Sequence, residues 1–173
     1  MSYPEHLDYP QPRYLGRHGE VNAAFRPADS PPDLSGPGGD THYLATHEST
    51  GGEFGLYQVE LGPKAAGAKV HFHRAMSESF YVLSGELELY DGQKWVTGRT
   101  GDFLYVPVGG LHGFKNVTDE PMSMLMLFSP GAPREEYFER VAEMSRRGAD
   151  ELKEFRIRHD SYFVEDFDDP DER

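Results

Sequence analysis

"HFHRAMSESFYVLSG", residues 71–85, sets two histidines one residue apart, a glutamate five residues after the second, and a glycine at its end. On a β-strand, side chains at i and i+2 point to the same face, so His71 and His73 can reach one point together. Glu78 follows a short connection at the start of the adjoining strand, from where its carboxylate can aim at that point. A bare His-x-His is also what the wet face of a sheet looks like. The reading therefore turns on what the rest of the chain supplies.

The stretch "GDFLYVPVGGLHGFKN", residues 101–116, supplies a third imidazole, His112, from a strand across the same small domain. Pro107, Gly109 and Gly110 make the tight turn that sets its register. Three imidazoles and one carboxylate are a donor set for a divalent first-row ion, and the absence of cysteine means that any metal must sit on His, Asp or Glu.

Both stretches lie in a region, from about 42 to 129, of short β-type runs broken by turn signals. "HYLATHE" and "EFGLYQVEL" flank "STGG" as a hairpin; "ESFYVL", "ELELYD", "KWVTG", "DFLYVP" and "PMSMLMLFS" follow, punctuated by Gly85, Asp91-Gly92, Gly101 and Pro121. Strands at this spacing predict an all-β sandwich or barrel, closed to hide its edges. Before it, residues 1–40 carry prolines at 4, 10, 12, 27, 31, 32 and 37, which predicts an extended arm. The arm's aromatics (Tyr3, Tyr9, Tyr14, Phe25) favour docking over disorder. After it, "REEYFERVAEMSRR" has helical period, with Phe138, Val141, Ala142 and Ser145 on one face, acids at its start and Gly148 as its stop. A second short helix is expected over 150–155, then a solvated acidic end from 160. The expected division is an arm over 1–40, a β-domain over 41–131, and helices with the acidic tail over 132–173.

The whole chain, 173 residues with 19 Gly and 13 Pro, is long enough for one core. Its net charge of −13 disfavours nucleic acid and anionic membranes, which need a positive footprint. The start shows no secretory leader, and the longest clean apolar run, "MLMLF", is too short to span a bilayer; a cytoplasmic protein is expected.

The two histidine stretches resemble the paired motifs of the cupin superfamily. The first motif reads His-x-His, three or four residues, Glu, six residues, Gly. The second reads Gly, five residues, Pro-x-Gly, two residues, His, three residues, Asn, and residues 101–116 fit it throughout. One departure is that the glycine leading the first motif falls on Ala65, with Gly62 and Gly67 nearby. The resemblance spans roughly residues 42–129. It implies a double-stranded β-helix, or jelly-roll barrel, with His71, His73, Glu78 and His112 as ligands of one divalent transition metal per chain (Fe, Mn, Ni, Co or Zn). The remaining histidines (6, 18, 42, 47 and 159) have no spacing that recruits them.

Phe80 and Val82 share a strand face with Glu78, Phe114 shares one with His112, and Met124 and Met126 lie on one face of a buried strand. These five are expected to line an apolar substrate pocket. The expected activity is that of a quercetinase-like dioxygenase acting with O₂ on a small hydroxylated aromatic, flavonoid-like or dicarbonyl compound, with Glu78 as base. An isomerase or polyketide cyclase on the same metal, and a non-catalytic small-molecule binder, are the alternatives. Small cupins commonly pair, so a homodimer with the arm at or near its interface is expected.

Overall fold

The structure, a computed structural model, describes residues 10–167. Tyr3 and Tyr9 of the arm, and the acidic run from residue 168 onward, lie outside the described residues. The main wall is a six-stranded sheet in the order β1 (Leu34–Gly36), β2 (Gly39–Ala45), β3 (Gly55–Leu61), β10 (Met122–Ser129), β5 (Ser77–Ser84) and β8 (Phe103–Val106). The opposing wall is a three-stranded sheet of β7 (Trp95–Arg99), β6 (Glu86–Tyr90) and β9 (Gly113–Lys115). β4 (His71–Phe72) pairs with β11 (Tyr162–Phe163), and a short helix α1 (His47–Thr50) lies inside the β2–β3 hairpin. This is the cupin double-stranded β-helix, although the walls are separate ladders and not one continuous barrel. β4 and β9 are too short to close a ladder, so closure rests on an isolated bridge between His71 and His112.

Alternation on the central strands builds the core in rungs. Glu78 stands opposite Phe128 on β10 and Val106 on β8. The next rung holds Tyr57, Met126, Phe80 and Leu104, and the one after it Val59, Met124 and Val82. Leu87 and Leu89 of the opposing wall complete one cluster with them. Gly67 and Gly85 are required where backbones nearly touch. A Cβ on Gly67 would lie 2.1 Å from the Phe114 carbonyl oxygen, and one on Gly85, at φ +75°, 2.6 Å from that of Pro121.

The end of the arm docks, as β1 joins the edge of the main sheet by pairing with β2. The expectation of a solvated end from 160 needs correction over residues 160–167: Ser161 and Phe163 are buried, and β11 adds to β4. Ahead of it, α2 (Glu135–Arg147) and α3 (Ala149–Arg158) form, but α2 buries a different face from the one its period suggested: Tyr137 and Met144 are buried, Phe138 and Val141 half-buried, and Ala142 and Ser145 exposed. It is packed on both sides. Tyr57 meets Phe138 edge-on at 5.0 Å from the barrel, while Tyr137 stacks on Phe155 of α3 at 5.8 Å. Among the described residues, no helix is long and apolar enough to cross a membrane.

Asn116, the last residue of the second motif, binds two loops together. Its amide donates to the carbonyls of Gly62 and Glu120, both at 2.8 Å, and its oxygen accepts from the Thr118 backbone N–H and hydroxyl. Because the side chain is buried, Asn116→Ala should cost roughly 2–3 kcal/mol by urea unfolding, the penalty for stranding several buried polar groups. A loss under about 1 kcal/mol would show that water replaces those bonds freely.

Candidate metal centre

His71, His73, Glu78 and His112 are all buried, and one ligand atom from each lies within 4.8 Å of the others. The local folding of the two motifs produces this convergence. His71 exchanges two 2.9 Å backbone hydrogen bonds with His112, and the Gly109 N–H donates to the His73 carbonyl at 2.8 Å, so the turn at Pro107–Gly110 is fastened to the first motif. Glu78 enters from the main sheet and closes the set.

The three rings share one arrangement. Nδ1 of His71 meets the Lys69 carbonyl at 2.8 Å, Nδ1 of His112 meets that of Gly110 at 3.0 Å, and Nδ1 of His73 meets that of Asp160. Each Nδ1–H donates a hydrogen bond to its carbonyl, which leaves Nε2 as the ligating atom, the usual outer arrangement of a metal-binding histidine. Nε2 of His73 and of His112 lie 3.0 and 2.8 Å from the same Glu78 oxygen. The donor set and its supporting carbonyls fit a divalent transition ion held by three nitrogens and one oxygen.

Electrostatics follow from this crowding. Burial alone would push the Glu78 carboxyl up, but hydrogen bonds and charge attraction from His112 and His73 hold it well below the usual carboxylate range. Burial and the neighbouring His112 push His71 down, so its imidazole stays neutral. Burial also opposes the charged form of His112, yet the Glu78 carboxylate outweighs it and raises this group above the ordinary histidine value. His112 and Glu78 thus form a buried ion pair whose proton an incoming metal must displace.

A cavity of about 340 Å³ opens over the cluster. Phe114 and Met126 line it, as the sequence suggested, and so do His71 and Glu78. Phe80, Val82 and Met124 do not. Phe80 lies in the core with its ring 5.9 Å from that of His112, and Val82, which pairs with Met124, sits about 13 Å along the strand from Glu78 at the usual ~3.3 Å per residue. They face inward, as alternation requires, but into packed core.

Part of the remaining lining comes from segments to which the sequence reading gave no place in the pocket. Arg134, Tyr137, Phe138 and Val141, at and just before α2, together with Phe163 of β11, complete the wall. The Phe163 ring stacks on His71 at 4.6 Å and 9°. Asp160 adopts a left-handed conformation (φ 52°), in which its carbonyl meets His73 while its carboxylate accepts the backbone N–H groups of Arg74 and Ala75. The signal available was "DSYFV", whose adjacent aromatic and β-branched residues read as a strand once the acids after it are set aside. None of His18, His42, His47 and His159 joins the cluster.

A family profile described as "Cupin domain" matches residues 57–128, the span that holds all four clustered residues. Polyketide synthase CurC of Streptomyces cyaneus is 32% identical over 98 residues, 56% of this chain and 63% of that protein. Quercetin 2,3-dioxygenase of Bacillus subtilis is 34% identical over 73 residues, 42% of this chain and 21% of that protein. The chain therefore spans less than two thirds of either relative's length. Among solved structures, an RmlC-like cupin from Shewanella frigidimarina superposes with a TM-score of 0.52 at 24% identity, covering 63% of this chain and 89% of that one, a likeness of fold.

Two measurements check the centre. His71→Ala and His112→Ala should each reduce bound transition metal by far more than the 10–100-fold of an outer-shell change, read by elemental analysis after dialysis. Apparent affinity should fall as pH drops below the raised value of His112, and uptake should release protons, read as a buffer-dependent heat of binding. Full metal content in both variants would place the ion elsewhere.

Proposed function

The chain belongs to the cupin superfamily, and we propose that it is a metal-dependent enzyme of small hydroxylated aromatic, enolic or 1,3-dicarbonyl compounds, in the first instance a dioxygenase. The observation that carries this reading is a buried three-histidine, one-glutamate cluster at the wall of an aromatic-lined cavity. When bound there, a divalent metal supplies Lewis acidity toward an enol or phenol oxygen and, if it is redox-active, a route for O₂ to react with the ionised substrate.

The chain's own residues supply the rest. Phe114, Met126, Phe128 and Phe138 line the cavity with apolar surface that excludes water. His71 is held between its backbone bridge to His112 and the Phe163 ring, so the ligand face cannot swing. Glu78 is the acid that lines the cavity. As a ligand its carboxylate would stay weakly basic; released from the ion and from the Nε2 atoms of His73 and His112, it would lose the bonds that depress its basicity. It is then the group placed to take a proton from the substrate.

The similarity to a protein named polyketide synthase, over a longer span than the similarity to the dioxygenase, favours a second reading, a metal-dependent isomerase or cyclase that moves protons without O₂. One experiment separates the two. Glu78→Gln keeps size but removes the base, and should cut turnover by a factor of about 10² or more with a smaller loss of metal than a histidine variant shows. Protein loaded with Zn(II), which has no redox chemistry, should lose oxygen uptake with candidate phenols, flavonoids and diketones. Equal turnover of the Zn(II) form under argon and in air would select the isomerase or cyclase. Tight binding without turnover would make the chain a binder.

We propose further that the chain acts as a homodimer. The arm leaves Leu15, Val21 and Phe25 exposed, and the outer face of the main sheet exposes Tyr81, Phe103 and Tyr105. Such apolar surface is normally covered. Deleting residues 1–33 should weaken the dimer in sedimentation velocity; a full-length monomer at micromolar concentration would refute it.

A further inference from the structure

Positive charge is scarce in a chain of net charge −13, yet the cavity is lined by Lys69, Arg134 and Arg156 against one acid, Glu78. Two of these cations are already matched. Lys69 pairs with Glu165 at 2.6 Å, and Arg156 pairs with Glu165 and Asp166 at 3.2 and 3.1 Å. Arg134 is different. It is 3% exposed, its two terminal nitrogens donate to the His159 carbonyl and the Ser161 hydroxyl, and its Nε has no partner. Both acceptors are neutral, and among the described residues no carboxylate lies within ion-pairing distance of it. The carboxylates nearest in effect are committed elsewhere, Glu78 to two histidines and Asp160 to the backbone of Arg74 and Ala75.

An unpaired buried guanidinium is costly, and the fold holds this one in place. Its charged carbon lies 4.3 Å from the Tyr137 ring centre, 5.2 Å from that of Phe128 and 5.6 Å from that of Phe138. The rings fix its position and offset part of the charge, but they do not neutralise it. It also stands at the N-terminal end of α2, where the helix dipole disfavours a cation. Two hydrogen bonds and three ring contacts hold the side chain in place, and none of them supplies the countercharge that its guanidinium lacks.

We infer that Arg134 is the countercharge for an acidic group of the substrate, so that the cavity takes a small aromatic or enolic carboxylate. The carboxylate lies on the Arg134 side, and the hydroxyl or enol oxygen faces His71, His73, Glu78 and His112. This inference rests on the cluster being the reacting end of the cavity. It narrows the substrates from phenols and diketones in general to those that carry their own acid. Arg134 is then a specificity-determining residue, not a catalytic one.

The test uses salicylate and its neutral counterpart salicylamide, which share ring and phenol and differ in the charge beside them. Calorimetric titration of full-length, metal-loaded protein should show salicylate binding about tenfold or more tighter, the scale of a hydrogen bond to a charged group. Arg134→Met should lower salicylate affinity to that of salicylamide and leave salicylamide unchanged, whereas Arg134→Lys should keep part of the preference. If the methionine variant fails to fold, the lysine variant decides, together with the preference of chelator-treated, metal-free wild-type protein, in which chelation cannot favour salicylate. Equal binding of the two compounds by wild-type protein, or an Arg134→Met variant that keeps the full preference, overturns the inference. Elemental analysis of the same sample separates the two readings. A preference for salicylate in protein that takes up no metal would refute the metal centre and leave the anion site standing. A metal-loaded protein without that preference would do the reverse.

Discussion

Three backbone carbonyls, those of Lys69, Gly110 and Asp160, each accept a hydrogen bond from an imidazole Nδ1–H, and the candidate site depends on that shared arrangement. It turns three Nε2 atoms toward one point and fixes each ring against rotation. The carbonyls belong to three different segments: the loop before β4, the turn after β8, and the residues that follow α3. The cluster is therefore a product of the whole fold. A change that moves any of these segments misdirects a ring without touching a ligand.

The energetic cost of gathering these groups is met in several ways. Four buried polar side chains gathered at one point are tolerable only because every one has partners. The buried ion pair of Glu78 and His112 can be exchanged for a metal, since each gives up a bond to the other as it gains one to the ion. Around the cluster, the rung of Tyr57, Met126, Phe80 and Leu104 supports the floor, and α2 with its aromatic face forms the roof. A buried Arg134 without a paired carboxylate favours an anionic group at short range even though the acidic surface as a whole repels anions.

The histidine motifs made the β-domain and the cluster readable, because period two, turn residues and ligand spacing are all local signals. His71, His73, Glu78 and His112 meet where strand geometry puts them. The pocket was less legible. Phe80, Val82 and Met124 were read from alternation, which says that a side chain points inward but not whether it meets a cavity or packed core. Arg134 and Phe163 escaped because they come from helix and tail segments, whose position over the barrel depends on tertiary packing and leaves no periodic trace. The acids around "DSYFV" also masked a short strand that completes the wall beside His71. The arm's last residues were missed for a similar reason, as Pro31 and Pro32 end just before β1 and only the partner strand β2 makes that edge pairing visible.

The central claim is that these four residues form one metal-binding centre, and X-ray absorption spectroscopy at the edge of the bound metal tests it most directly. A first shell of nitrogen and oxygen at about 2.0–2.2 Å is expected, with the multiple-scattering pattern of three imidazoles and no sulfur. A shell of oxygen alone, as an acidic surface would supply, or a spectrum requiring fewer than two imidazoles, would contradict it.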